Sequence, residues 1–502
     1  MSLTSFGFFA FLLVGIPVYY LSGRYGRYVL LAMSLYFYFA IAPATVSYHV
    51  KLTAIVLYIL TVTYVGALLI DRAKGRWRTL LTFLSIAGLA AFLFFTKYLY
   101  QILESLSVLF HAPNRFSFLQ FGSVIGVSYF ILSAIGYLID VCWQSYPAEK
   151  NPGTVCLFIF FFPQVISGPV TRFPEMKEQF CKRPVLDWGT IEHGIRRMLW
   201  GYFKKLVISD RFAVVVGTVY ADYLSFSGFD LFVATLCYAI RLYADFSGCM
   251  DIVLGAAQLF GITLPENFNA PFFSATVQEF WQRWHITLGG WFKDYVMYPF
   301  QKTKGMITLG KKCKAKFGKK AGKKIPFYLA MLLLWFLIGL WHGGAGYYFV
   351  ASAAIPFTLL ILGDLCSPLS ERLVKLLHIR RESAAWKTVS YLRTNLLLCP
   401  VWVFVCAGSV ERGFLALKHA VCSFFGETNL SACALTRTDL VMMALGTVIL
   451  GAAEYLQHRG TPVTPMLDRK PFAVKWLVVN AEILVILLFG LVGTSSFIYF
   501  RF

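Results

Sequence analysis

The chain has 502 residues, of which 58% are hydrophobic, 17% aromatic and only 14% charged, and its mean hydropathy is +0.65. Because soluble domains carry about 25% charged residues, this composition excludes an ordinary soluble enzyme and indicates a polytopic helical membrane protein. The net charge of +21 does not indicate nucleic-acid binding, since residues 301–324 concentrate ten lysines with no acid and a single aromatic residue, Phe317.

The first third of the chain predicts four membrane spans followed by shorter apolar pieces. Basic turns at 24–27 and 72–78 follow the first and third spans and place those turns in the cytoplasm. The apolar stretch 116–142 contains three glycines and is predicted as two pieces, whereas 156–170 is predicted to dip into the membrane. The predicted spans are 6–21, 28–42, 52–70 and 80–95, with an interfacial segment at 97–111.

The middle of the chain combines basic, apolar and polar-aromatic segments. Residues 186–210 place basic residues among apolar ones, which predicts an amphipathic helix at the cytoplasmic surface. Residues 266–298 are too charged to face lipid and too aromatic for an ordinary loop, so we expect them to be wrapped in protein or to line a cavity. Between these two segments lie predicted spans or half-spans at 212–220, 229–243 and 252–262.

The lysine-rich run 301–324 is predicted as a cytoplasmic loop by the positive-inside rule, and the basic segment 372–393 returns to the same side. The run either docks an acidic carrier or only orients the protein, and the second interpretation is favoured because the rule already requires it. Residues 412–425 predict an amphipathic segment on the outer side. With no internal repeat or linker, the chain is interpreted as one domain, 1–502. The remaining predicted spans are 326–341, 347–362, 391–406, 440–455 and 477–492.

Two of the eight histidines, His285 and His342, each follow a tryptophan within sequence apolar enough for the membrane. An ionisable residue at membrane depth is costly and therefore indicates a functional site. Imidazole also changes protonation most easily near neutral pH, which suits general acid–base catalysis. The alternative is that either histidine is a hydrogen-bonded packing residue.

Several other polar residues of this segment have two interpretations. Four charges lie in apolar surroundings, and mutual ion pairs around the site are expected before catalysis. Asn267 and Asn269 either line a cavity or cap a helix, and Gly343 either lets the backbone approach a substrate or ends a helix. The four charges are Asp245, Glu279, Arg283 and Asp294.

Four segments, taken together and in this order, resemble the membrane-bound O-acyltransferase family, in particular its bacterial branch of alginate O-acetyltransferase subunits and teichoic acid D-alanyl transferases. The chain length and the ending Phe497-Ile498-Tyr499-Phe500-Arg501-Phe502 favour the alginate type, whereas the lysine run departs from that type's Gly-rich turn. The four segments are Phe161-Phe162-Pro163-Gln164-Val165-Ile166-Ser167-Gly168-Pro169-Val170, Tyr243-Ala244-Asp245-Phe246-Ser247-Gly248, Pro265-Glu266-Asn267-Phe268-Asn269 with Phe280-Trp281-Gln282-Arg283-Trp284-His285, and Gly339-Leu340-Trp341-His342-Gly343.

The resemblance implies an all-α polytopic fold with about 11–12 membrane segments, plus re-entrant and interfacial helices around a central tunnel. It implies that His342 is the catalytic histidine and that His285 is the second signature histidine. Gln164 is expected to shape the cavity rather than to react. The residues expected to line or support the tunnel are Trp341, Gly343, Asn267, Asn269, Gln282, Arg283, Asp294, Asp245 and Gln164.

The implied reaction moves an acyl group, acetyl first, from a cytoplasmic thioester to hydroxyls of an extracytoplasmic polysaccharide. The donor is acetyl-CoA or the phosphopantetheine of an acyl carrier, and no metal or permanently bound cofactor is expected. His342 acts as a general base or as a nucleophile. The implied setting is a multi-pass protein in the bilayer of the bacterial cell membrane, with an exported esterase-like transferase as partner.

The alternatives are D-alanyl transfer to teichoic acid and, as another class, a transporter, although transporters tend to show two related halves. A purely structural membrane scaffold is a third, less favoured interpretation.

Overall fold

A computed structural model describes the chain except residues 44, 101, 104–106, 108–123, 344–345, 462, 494–496 and 499–502, and the side chain of 465. The described part is about 80% helical and contains no β-strand, which confirms the predicted all-α fold. The helices are α1 Phe6–Leu21, α2 Gly26–Ala40, α3 Val46–Arg72, α4 Gly75–Tyr98, α5 Val127–Cys142, α6 Pro152–Phe160, α7 Phe173–Cys181, α8 Trp188–Tyr202, α9 Asp210–Ala221, α10 Gly228–Gln258, α11 Val277–Arg283, α12 Ile286–Phe292, α13 Tyr298–Gln301, α14 Lys304–His342, α15 Gly346–Leu376, α16 Ala384–Ala407, α17 Val410–Cys422, α18 Arg437–His458, α19 Val463–Asp468 and α20 Phe472–Phe489.

Seven helices of the described chain are long and apolar enough to cross a membrane: α3, α4, α14, α15, α16, α18 and α20. The hydrocarbon core of a bilayer is about 30 Å thick and needs about 20 apolar residues in a helix, which these helices supply. The helices α1 and α5 are apolar but shorter. Each span predicted after residue 325 overlaps one of the seven, so the multi-pass interpretation is confirmed.

The first of two compact units contains Met1–Tyr202 and Gly248–Pro265. Its core is aromatic, and the ring of Phe162 lies 5.3 Å from that of Phe11 and 5.8 Å from that of Phe37 between centroids. The segment predicted to dip into the membrane is the short buried helix α6 followed by a buried turn.

Gly126 directly precedes α5 and packs against this turn. Its φ of +76° is in the left-handed region, and a Cβ there would overlap the carbonyl oxygen of Val165. A side chain is therefore excluded at this position for two independent reasons. The interfacial segment predicted at 97–111 and the first part of the stretch 116–142 lie largely outside the described residues.

The second unit contains Phe203–Ser247 and Glu266–Ser495. It begins with a π-helical turn, Phe203–Ser209, which follows α8 directly. Lys204 and Lys205 in this turn are only 3% and 1% exposed. The prediction of a surface helix over 186–210 is therefore wrong for its last residues, because these two lysines have buried hydrogen-bond partners in place of water.

The predicted half-spans 229–243 and 252–262 form one helix, α10. The charges between them do not end the helix, because each is paired within its own unit. Asp245 lies 2.8 Å from Lys205, and Asp251 lies 3.1 Å from Arg197. A paired carboxylate can remain inside an apolar helix.

The lysine-rich run is a helical hairpin and not the predicted loop. Gly318 interrupts α14 with φ of 86° and ψ of 174°, and a Cβ at Gly322 would lie 2.9 Å from the carbonyl oxygen of Gly310. In a straight helix residues twelve apart are separated by about 18 Å, so the chain folds back at Gly318. Residues 304–325 are called the lysine hairpin below.

Candidate active site

The site begins where two extended stretches meet within the second unit. Phe268 and Trp284 form an isolated antiparallel bridge, and the N–H of Ile286 donates to the carbonyl of Asn267 at 3.0 Å. These contacts hold His285 beside Asn267, although 18 residues separate them. The spacing in sequence does not predict this contact, since no periodic element connects the two stretches.

His285 adopts a left-handed backbone conformation, with φ of 49° and ψ of 51°. In a residue with a side chain this conformation costs about 1–3 kcal/mol and clusters at functional sites. The conformation is held because Asn267 accepts hydrogen bonds from both residues that follow His285. Its backbone oxygen accepts from the N–H of Ile286, and its Oδ1 accepts from the N–H of Thr287 at 3.1 Å. Asn267 therefore caps α12 from a distant part of the chain.

The same amide fixes the tautomer of His285. The N–H of Thr287 can only donate, so the Asn267 atom that faces it is the oxygen and not the amide nitrogen. The Nδ1 of His285 lies 3.2 Å from that oxygen and must carry the proton. In the neutral imidazole the lone pair that accepts a proton is then on Nε2.

His285 lies outside the candidate spanning helices and is only 4% exposed. Burial, with a smaller contribution from the charge of His342, holds the pKa of His285 well below the usual value for imidazole. The ring is therefore neutral near pH 7. Phe246, which is fully buried on α10, packs edge-on against it with 4.9 Å between ring centroids.

Trp341 brings the two predicted histidines into one site. Its ring lies 5.9 Å from that of His285 and 5.1 Å from that of His342, both in edge-on geometry. Trp341 is only 4% exposed. The two Trp-His pairs are more than fifty residues apart in the chain, yet both imidazoles contact this single indole.

Two glycines determine how the end of α14 is placed. A Cβ on Gly339 would lie 2.6 Å from the Cβ of Ala353, so this glycine allows α14 to approach α15. Gly343 follows the last residue of α14, and a Cβ there would lie 2.8 Å from the ring of Tyr348. Gly343 thus ends the helix and also packs closely against an aromatic ring.

The expected ion pairs around the site form in part. Arg283 and Glu279 are 2.6 Å apart, as predicted. The expected pairing of Asp245 with the other charges of this segment is wrong, since Asp245 bonds Lys205 at 2.8 Å. The same ammonium lies 2.8 Å from Asp210, and all three side chains are 1–2% exposed. The sequence does not reveal this triad because its lysine belongs to a stretch with a surface-helix pattern.

Four other predicted site residues differ in their exposure. Asn269, Gln282 and Asp294 are exposed, and the Asn269 side chain accepts from Gln457 at 3.5 Å. Gln164 belongs to the first unit, where it is 8% exposed and its amide nitrogen donates to Thr171 at 2.7 Å. The tunnel-lining roles of these four residues stay predictions.

The sequence does not reveal a polar cluster around His458. Arg283 contacts the Nδ1 of His458 at 2.9 Å, and the Nε2 of that ring lies 3.1 Å from the hydroxyl of Tyr391. The ring of Phe273 stacks on His458 with 5.7 Å between centroids. This cluster ties the segment that carries His285 to α16 and α18. His458 follows no tryptophan, so its sequence gave no signal.

Comparison with known proteins decides the family. The model of the MBOAT, membrane-bound O-acyltransferase family matches residues 32–310, more than half of the chain. The chain belongs to the membrane-bound O-acyltransferase family. The matched range includes Asn267 and His285 and ends before His342.

Curated relatives agree with this assignment. The MBOAT chain is 28% identical to a probable alginate O-acetylase of Pseudomonas putida, over 98% of each chain. It is 27% identical to a peptidoglycan O-acetyltransferase of Helicobacter pylori over 86% of this chain and 80% of the relative. It is also 28% identical to a teichoic acid D-alanyltransferase of Bacillus subtilis, over 45% of this chain and 56% of the relative. The protein is a multi-pass membrane acyltransferase similar to alginate O-acetylases.

Proposed function

We propose that this MBOAT protein transfers an acetyl group from a cytoplasmic thioester to hydroxyls of an extracytoplasmic polysaccharide. The observation that supports the proposal best is the pair of imidazoles that both contact Trp341, of which His285 is buried and has a fixed tautomer. The relatives favour acetyl over D-alanyl, since the similarity to the alginate O-acetylase covers 98% of this chain and that to the D-alanyltransferase covers 45%.

In the proposed reaction the acceptor oxygen attacks the thioester carbonyl, a C–O bond forms and the C–S bond breaks. His342 accepts the hydroxyl proton and returns it to the leaving thiolate, so no net proton is released. His285, which is neutral with its lone pair on Nε2, is a second proton acceptor against the same indole. The buried rings of Trp341 and Phe246 beside these imidazoles help to exclude water that would otherwise hydrolyse the thioester.

The proposal extends to the cellular setting. The enzyme resides in the bacterial cell membrane, and an exported esterase-like transferase receives the acetyl group on the outer side and passes it to the polysaccharide. We propose this partner because the chain resembles alginate-type enzymes and because the acceptors lie beyond the membrane. The acyl donor approaches from the side of the lysine hairpin and of residues 372–393, which the positive-inside rule places in the cytoplasm.

Acetyl transfer in membranes tests the proposal. Membranes that contain the wild-type protein, His342→Asn or His378→Asn receive labelled acetyl donor, and the label in envelope glycan is measured at equal protein level. His378 is exposed with a left-handed backbone, a conformation that Asn tolerates, so this substitution is a matched control. We expect label with the wild type and the control and none with His342→Asn. Equal label in all three would overturn the assignment of His342.

The same membranes separate the two acyl groups. Labelled D-alanine, supplied with its activating enzyme and carrier, should leave no label in teichoic acid or in other envelope glycan. Label from D-alanine but not from acetyl would replace the acetyl proposal with D-alanyl transfer.

A further inference from the structure

The lysine hairpin is a folded structure and not a flexible tail. Its two arms approach closely at Gly310 and Gly322, and Cys313 on the first arm is buried. At its base Lys324 pairs with Asp364 of α15 at 2.6 Å. The hairpin is therefore fixed to the membrane helices that follow it.

The surface of the hairpin is strongly basic. Nine of the ten lysines between residues 301 and 324 are exposed, and this range contains no acid. Among the described residues, the hairpin makes a single ion pair, which is that of Lys324 with Asp364. Like charges so close together repel one another, so the hairpin is complementary to an acidic surface.

The position of the hairpin distinguishes two kinds of acidic surface. Its second arm continues the helix of the apolar run that begins at Pro326, since Gly318 is the interruption within α14. The eight residues from Gly318 to Pro326 extend about 12 Å along a helix axis. The headgroup layer on one side of a bilayer is only about 5–7 Å thick. The lysines around Gly318 therefore project beyond the headgroups of the adjoining leaflet.

The hairpin also lacks the apolar face of a helix that lies in a membrane. Cys313 of the first arm is buried, and Met306 and Leu309 of the same arm are half-buried. Phe317 at the turn is the large apolar side chain most exposed there, at 61%. Helices that bind in the interface bury a broad apolar face, whereas here both arms present lysines.

We infer that the lysine hairpin docks an acidic soluble protein that carries the acyl group as a thioester. This inference rests on the proposed function, because the thioester donor is the molecule that must reach the site from this side. The docking is electrostatic, so it speeds encounter and weakens steeply with salt. The acyl donor is then bound to a protein and is not free acyl-CoA.

Direct binding tests the inference. The full-length protein is reconstituted in nanodiscs of phosphatidylcholine, and the probe is acyl carrier protein with acetylated phosphopantetheine. Three variants are compared with the wild type: one with Gln at four hairpin lysines, one with Arg at the same positions, and one with Gln at four exposed basic residues of the segment 372–393. The hairpin positions are Lys314, Lys316, Lys319 and Lys320. The control positions are Arg372, Lys375, Arg380 and Arg381.

We expect the carrier to bind the wild type, the Arg variant and the control variant alike, and to bind the hairpin Gln variant at least about tenfold more weakly. Wild-type binding should fall as ionic strength rises from about 0.01 to 0.15 M, which shortens the Debye length from about 30 to 8 Å. Acetyl transfer from free acetyl-CoA, where it occurs, should be the same in all variants.

The inference is wrong if the carrier does not bind the wild type, or if the hairpin and control variants lose binding equally. It is also wrong if the hairpin variant binds the carrier normally and differs only in nanodiscs that contain phosphatidylglycerol, which would identify anionic lipid as the occupant. His342→Asn should bind the carrier and fail to transfer. Failure of the proposed chemistry is thereby distinguished from failure of docking.

Discussion

Replacement of Asn267 tests whether its amide fixes the tautomer of His285. In Asn267→Leu the Nδ1 of His285 and both donors of Thr287 lose their common acceptor, which they contact at 3.2, 3.1 and 2.9 Å. At about 1 kcal/mol for each lost hydrogen bond, we expect a loss of about 3 kcal/mol in the free energy of unfolding. Because the proton can then move to Nε2, acyl transfer should fall by about 10–100-fold, as for other groups that orient a functional histidine.

Asn267→Asp is the matched substitution, since it keeps the acceptor oxygen and adds a charge. At 3.2 Å and an effective dielectric constant of about 20, a carboxylate attracts an imidazolium by about 5 kcal/mol as an upper limit. About 1.4 kcal/mol is enough to raise the pKa of His285 by one unit. In the wild type burial lowers this pKa, so the ring stays neutral as pH falls from 8 to 6.5. In the Asp variant the ring becomes protonated at a higher pH than in the wild type.

The assay is the initial rate of labelled acetyl transfer in membranes between pH 5.5 and 8.5, with thermal unfolding in detergent as a measure of folding. We expect the acid limb of the rate profile to move up by at least one unit in Asn267→Asp, and Asn267→Leu to be slow at every pH. If Asn267→Leu keeps the wild-type rate and Asn267→Asp the wild-type profile, the assigned tautomer and the catalytic use of His285 are both refuted.

Further predictions concern the packing that supports the site. Lys205→Met should lower stability by about 3–5 kcal/mol, because it leaves two buried carboxylates without their cation. Adding Asp245→Asn should restore part of this loss in thermal unfolding, and no restoration would argue against the triad. Gly339→Ala should cost about 1–3 kcal/mol and slow transfer, because the new methyl group meets Ala353. Gly363→Ala, where a Cβ meets open space in α15, should instead be neutral or stabilising by up to about 1 kcal/mol; equal effects of the two substitutions would contradict the close approach.

The sequence by itself determined the features that depend on local composition. Apolar runs of spanning length have to form helices in lipid, because no water is available to bond the backbone, and α1 begins and ends at the predicted residues. The rarity of ionisable groups in strongly apolar sequence singles out His285 and His342 as candidate site residues. The pairing of Arg283 with Glu279 was also predictable, since residues four apart lie on one face of a helix.

Only the tertiary structure decided which distant residues share a hydrogen bond or a ring contact. Asn267 caps α12 across twenty residues of sequence, and Trp341 meets both imidazoles. Lys205 is buried because two carboxylates converge on it, although its own stretch has the pattern of a surface helix. The lysine hairpin depends on one glycine that reverses the chain. Hydropathy and periodicity are properties of neighbours along the chain, whereas these contacts arise from the packing of separate helices, which fixes burial, tautomer and charge partner together.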